Sequence, residues 1–153
     1  MTAAVTATFL VVEDGREYTE RFARLLGTRF RFIRAASASE AAALAGGGAV
    51  GLLLDLDFRR TPVDQLVDDD GQIAGTRPDS ERRRLAAVQG ILILRALRRN
   101  SVTLPALLFA DLDDAEQIAF LQGDLGPLRV VASSVGLQEI ALLLDRLAAG
   151  RLL

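Results

Sequence analysis

Four residue types are missing from this chain of 153 residues: it contains no Cys, no His, no Trp and no Lys, so all 18 basic side chains are Arg. Without Cys there are no disulfides and no thiol chemistry. Without Cys and His there are no zinc sites of the usual kind. Without His there is no Ser-His-Asp catalysis, and without Lys there is neither Schiff-base chemistry nor a phosphate-binding ammonium. Carboxylates, hydroxyls, guanidinium groups and backbone remain. The net charge of −2 gives no basis for a nucleic-acid binder held by a basic surface. The chain is 50% apolar and 25% charged, so it can bury a core, and its length fits one domain.

The first residues, MTAAVTAT, have neither a basic start nor a long apolar run and make no secretory signal. The uncharged stretch Ala41 to Leu54 is too short and too rich in Gly to span a bilayer. A cytoplasmic protein without membrane contact is expected. Short apolar runs alternate with helical patterns. Strands are predicted at Phe9–Val12, Phe30–Ile33, Val50–Phe58, Pro105–Ala110 and Arg129–Ser133. Helices are predicted at 17–27 (with Phe22, Leu25 and Leu26 inward), at Ser39–Ala45, near 79–100, at 114–123 and at 137–149. Such alternation predicts right-handed βαβ units, hence a parallel sheet with helices on both faces, a three-layer α/β sandwich.

Residues 59–78 break the rhythm with two Pro, two Gly and the run Asp68-Asp69-Asp70. A loop of this length without regular structure is expected to be functional or disordered. Asp70-Gly71, between QLV and QIA, has the chemistry of a small hairpin turn. The next helix is expected to start with Asp79 or Ser80 as its cap.

Three short motifs carry little. GGGAVG at Gly46–Gly51 spells a dinucleotide fingerprint, but it leaves a helix and enters a strand, the reverse of the required context. DDDG fails as a calcium loop, because Leu66 and Arg77 stand where carboxylates are required. Arg82-Arg83-Arg84 lies beside Asp79 and Glu81 and reads as a solvated helix face. The acidic residues are more informative. Glu13, Asp14, Asp55, Asp57 and Asp111 all fall at the C-terminal ends of predicted strands, the edge where open parallel sheets bind ligands. Carboxylates so grouped repel one another, so either some are protonated or a cation sits among them. A hard cation such as Mg²⁺ suits an inventory of oxygen ligands. In the plainer alternative, two or three of these side chains simply face water.

At these residues the chain resembles the receiver domain of bacterial two-component response regulators, over nearly its whole length apart from 59–78. FLVVEDG is similar to the first strand with its acidic pair, and LLLDLDF to the third strand with the phospho-accepting Asp. Gly90–Ala110 is similar to the third helix and fourth strand, and RVVASSVGLQEIALLLDRL to the fifth strand and last helix. The resemblance implies a single domain, 1–153, of the flavodoxin-like receiver fold: a five-stranded parallel sheet of order 2-1-3-4-5, with an insertion at about 59–78. It implies Asp55 as phosphoryl acceptor, with Mg²⁺ held by Glu13, Asp14, Asp55 and the backbone carbonyl of Asp57. The family places a Ser or Thr after strand four and a Lys after strand five. Here those positions read Ala110 and Ala132, or Asp111 and Ser133 one residue later, and the aromatic switch position reads Arg129.

The resemblance therefore keeps the acidic half of the site and loses the half that senses a phosphoryl group. Each lost charge-assisted contact is worth roughly 1.5–3 kcal/mol. A switch moves only as far as its ligand's differential contacts drive it. A stand-alone atypical receiver is expected, a pseudo-receiver that is not an enzyme and works through protein contacts, with a histidine kinase or a signalling complex as partner. Arg59, Arg60 or Arg77 from the long loop is a candidate replacement for the missing cation. From a different class, Glu13 with the Asp55/Asp57 pair also resembles a Toprim-type site for Mg²⁺-dependent phosphodiester chemistry, although Asp14 stands where that motif has Gly. In the last helix Leu137, Ile140, Ala141, Leu144, Leu147 and Ala148 form one packing face. Leu142, Leu143, Leu152 and Leu153 fall partly outside it, the basis for expecting a homodimer through this helix.

Overall fold

Five parallel strands form one sheet in the order β2-β1-β3-β4-β5. They are β1 (Thr8–Val12), β2 (Arg31–Ala35), β3 (Gly51–Asp55), β4 (Ala106–Phe109) and β5 (Leu128–Val131). The helices are α1 (Glu17–Leu26), α2 (Ala38–Leu44), α3 (Asp79–Ala87), α4 (Gln89–Arg99), α5 (Ala115–Asp124) and α6 (Leu137–Ala148). These bounds come from a computed structural model, which describes residues 6–75 and 77–151. Leu152 and Leu153 lie outside the described residues. No helix among the described residues is long and apolar enough to cross a membrane.

The apolar runs make sense once both sheet faces are covered. Side chains alternate along a strand, so a run buried on both sides must be apolar at every position. Leu10, Val12, Leu52, Leu54 and Leu108 pack on one face with Ala41 of α2, Leu94 of α4 and Leu121 of α5. Phe9, Val11, Leu53, Leu107 and Phe109 pack on the other with Phe22 of α1 and Leu144 of α6. The register pairs Leu10 with Leu52 and Leu54 with Leu108, so the strand ends that carry the acidic residues lie side by side.

The structure departs from the sequence reading in several places. Leu25 of α1 is exposed while Phe22 and Leu26 are buried, because residue 25 lies off the stripe that faces the sheet. In α6, Leu143 is buried and Leu142 is exposed, and Ala148 is exposed rather than packed. The helix expected near 79–100 is two helices, α3 and α4, broken at Val88 with φ −123°. The break is held from outside: the Phe58 N–H donates to the Ala86 carbonyl at 2.8 Å, and the Gly90 N–H donates to the Leu56 carbonyl at 3.0 Å. Neither Asp79 nor Ser80 caps α3. Pro78 precedes the helix without a side-chain cap, and Asp79 sits in the first turn bonded to Arg82.

The described residues of the segment, 59–75 with 77 and 78, have little regular structure, yet several are packed. A short 3₁₀ turn spans Val63–Gln65, and Val67 bridges Ile73 antiparallel around Gly71, whose φ of +78° suits Gly in a tight reversal. Leu66, Val67 and Ala74 are buried. Gln89 of α4, itself buried, accepts from the Val67 N–H at 2.8 Å and donates to the Val67 carbonyl at 3.0 Å. The side chain thus completes for Val67 the pair of bonds a neighbouring strand would have made.

Candidate functional site

The C-terminal ends of β1 and β3 flank the point where strand order reverses, and a crevice opens there. Its volume is about 370 Å³, and its walls carry Asp14, Asp55 and Asp57, together with Glu17, Tyr18, Arg59 and Arg60. It gathers three of the five acidic residues singled out in the sequence. Glu13 and Asp111 are committed elsewhere.

Glu13 is buried, with its carboxylate turned to the start of α1. It accepts from the N–H groups of Tyr18 at 3.2 Å and Thr19 at 2.7 Å, and from the Thr19 hydroxyl at 2.6 Å. Arg16, at the N-cap position of α1, makes no side-chain cap, so Glu13 satisfies these helix donors from the preceding strand end. Its negative charge also lies at the favourable end of the helix dipole. Asp111 accepts from the Ser133 N–H at 2.9 Å and from its hydroxyl at 2.5 Å, and these bonds hold its carboxyl below the ordinary range. The positions after β4 and β5 are therefore tied to each other. Ala110 is buried, whereas Ala132 and Arg129 are exposed and present no group to the crevice.

Asp55 sits at the end of β3 with Oδ1 accepting from the Leu56 N–H at 2.9 Å. Burial pushes its carboxyl up to about 6. The Leu56 hydrogen bond opposes that rise, and the charges of Asp14, Glu13 and Asp57 add to it. Asp55 is thus the group in this crevice that can change charge near neutral pH. Tyr18 stacks on Phe109 with ring centroids 5.0 Å apart. Burial first, then the charge of Asp55, raises its phenol to about 12.

Two guanidinium groups border this acidic edge. Arg59 Nε lies 2.5 Å from Asp57 Oδ2, while Asp57 Oδ1 is buried without a hydrogen-bond partner. Arg60 donates its backbone N–H to Asp14 at 2.8 Å, and its side chain binds Glu17. Arg77, the third loop candidate, is instead paired with Asp68 at 2.6 Å. Arg34 donates to the backbone carbonyls of Asp14 and Gly15, which fixes the turn between β1 and α1.

These commitments bear on a metal. No group of three or more His, Cys, Asp or Glu residues among the described residues is arranged to hold one. The set expected from sequence needs Glu13, which is spent on α1. Asp14, Asp55 and Asp57 each already accept from a protein donor. As arranged, the guanidinium groups of Arg59, paired with Asp57, and of Arg60, paired with Glu17, are the positive charges beside these carboxylates. The sequence reading missed Glu17, Tyr18 and Arg34. Tyr18 had one signal: it is the single Tyr of the chain, four residues after Asp14.

No family model matches the chain, and no curated protein sequence matches it. Solved structures do match in fold. A response regulator receiver domain from Francisella is 13% identical with a TM-score of 0.67, over 95% of this chain and 98% of that one. A chemotaxis protein from Vibrio cholerae is 16% identical with a TM-score of 0.63, over 94% of this chain and 99% of that one. A response regulator receiver protein from Pseudomonas putida is 17% identical with a TM-score of 0.61, over 94% and 99%. The chain has the flavodoxin-like fold of response regulator receiver domains, with the strand order expected from the sequence.

Proposed function

We propose that this chain is an atypical receiver module of two-component-type signalling that works through protein contacts, with phosphorylation switching at Asp55 weak or absent. The observation that carries this reading is the state of the two strand ends that would sense a phosphoryl group. Asp111 and Ser133 bind each other there, and Ala110 and Ala132 offer no hydroxyl or ammonium. A phosphoryl group on Asp55 would meet few contacts that differ between two states, so it would have little to shift. Arg59 and Arg60 add to this, since Arg59 already pairs with Asp57 and the Arg60 backbone N–H already occupies Asp14 before any ligand arrives.

Partners are proteins, a histidine kinase or an assembly downstream of one. Leu142 of α6, at 64% exposure, supports a contact between two copies through this helix. Sedimentation tests the dimer: Leu142→Glu is expected to lower the mass to that of one chain.

The reading as a whole is tested by amide NMR of the chain with beryllofluoride and Mg²⁺. Changes restricted to the Asp14, Asp55 and Asp57 region are expected. Shifts spreading through α5 and β5 would overturn it.

A further inference from the structure

We propose that the recess between residues 59–66 and α3 is a binding site for a small organic anion, one with an apolar body and a single carboxylate, sulfonate or phosphate head. The recess has a volume of about 700 Å³, within the range of small-molecule sites, about 300–1,000 Å³. Its rim carries Arg59, Arg82 and Arg83, and its apolar wall is built from Val63, Leu66 and Ala86. No carboxylate lines it among the described residues. Of the three guanidinium groups around the opening, Arg59 is paired with Asp57 and Arg82 with Asp79, which leaves Arg83 as the uncompensated positive charge among the described residues.

Arg59 is held by Asp57, and the other two rim charges are open to a ligand. Arg83 makes no ion pair or hydrogen bond among the described residues. Arg82 pairs with Asp79, three residues earlier on α3, at 2.5 Å, but the side chains are 42% and 70% exposed, so that pair gives way easily to a better acceptor.

The apolar wall decides the class of ligand. Pro62, Val63 and Ala87 present apolar surface to the recess above the buried Leu66 and Ala86, and a hydrated inorganic ion would gain nothing from them. An aryl or alkyl acid satisfies wall and rim together. The site is distinct from the crevice at Asp55, with which it shares one wall residue, Arg59.

Fluorescence titration of the full chain with two dyes tests this. Anilinonaphthalene sulfonate carries the sulfonate; phenylnaphthylamine is the same apolar body without it. Saturable one-site binding of the sulfonate is expected, at least about tenfold tighter than the amine, as charge-assisted bonds to Arg require. Arg83→Glu should lose about tenfold for the sulfonate and leave the amine unchanged. Ala87→Trp, which fills the recess from an exposed position, should abolish both. Far-UV circular dichroism and the melting temperature show that each variant is folded. Sulfonate binding that survives both substitutions, a preference for the amine, or binding of an acidic peptide with neither dye bound overturns the proposal.

Discussion

A Cβ placed on Gly90 would stand 2.0 Å from the carbonyl oxygen of Asp55, and 3.0 Å from its carbonyl carbon. The first turn of α4 therefore rests directly on the backbone of the residue that heads the crevice. Only a residue without a side chain permits that approach, and both partners are backbone or fixed helix, so neither can swing aside. Gly90→Ala is expected to cost about 3 kcal/mol or more in urea unfolding, the upper end for overpacking. A loss below about 0.5 kcal/mol, within the range of ordinary surface changes, would show that α4 retreats freely.

Asp55 makes stability depend on pH. Its carboxyl is raised to about 6 from an ordinary 3.8, so the folded state holds a proton that the unfolded chain releases earlier. The stabilising contribution of the neutral form is complete below 3.8 and is lost as pH rises through about 6. Asp55→Asn, neutral at every pH, should stabilise the protein at pH 7 by about 1 kcal/mol, allowing for partial solvent screening. The gain should vanish when unfolding is measured near pH 4. An equal gain at both values would mean the effect is not protonation.

The capping role of Glu13 predicts a loss that needs no metal. Glu13→Ala removes three acceptor contacts from the start of α1, at an expected cost of about 2 kcal/mol. Amide hydrogen exchange at Tyr18 and Thr19 should accelerate, equally with and without Mg²⁺. A penalty seen only with Mg²⁺ present would return Glu13 to the role of a ligand.

Gln89 is the link between α4 and residues 59–78. Gln89→Ala leaves the buried N–H and carbonyl of Val67 without their partner, at a cost of about 1–3 kcal/mol. Exchange at the Val67 amide and proteolysis within 59–78 should both rise, while β1 and β3 stay protected.

If the loop arginines stand in for a cation, removing them should invite one. The double variant Arg59→Ala, Arg60→Ala removes the ion-pair partner of Asp57 and the nearby positive charge of Arg60, while the residue 60 backbone N–H still donates to Asp14. Titration calorimetry is expected to show Mg²⁺ bound on the order of tenfold more tightly than by the unaltered chain. Unchanged affinity would remove Arg59 and Arg60 from that role.

The sheet was legible because its strands are covered on both sides. LLLD at Leu52–Asp55 and LLF at Leu107–Phe109 are apolar without alternation, and in a parallel α/β chain that pattern marks a strand buried between two helical layers. The placement of Asp55 at a strand end followed directly. The break at Val88 was not legible, since QGILILRAL continues the helical period without a Pro, and the bonds that hold the break come from Phe58 and Leu56. Side-chain direction at the site was equally hidden. Glu13 and Asp14 are adjacent in sequence, and nothing local says that one turns to α1 and the other to the crevice. The Asp111–Ser133 pair joins residues 22 apart in sequence that meet only because β4 and β5 are neighbours. The fold of 59–78 rests on Gln89, a polar residue buried at a helix start, where composition alone favours exposure.

Arg59 has one guanidinium and two neighbourhoods: Asp57 on the crevice side and the apolar recess on the other. A single charge shared in this way is a thermodynamic link. Whatever draws Arg59 toward the recess leaves Asp57 more exposed to a cation or a proton, and whatever neutralises Asp57 frees Arg59 for an anion. The two effects must be equal in free energy, since binding linkage is reciprocal. Occupancy of the recess would therefore be readable at Asp57, as a change in its affinity for a cation or a proton.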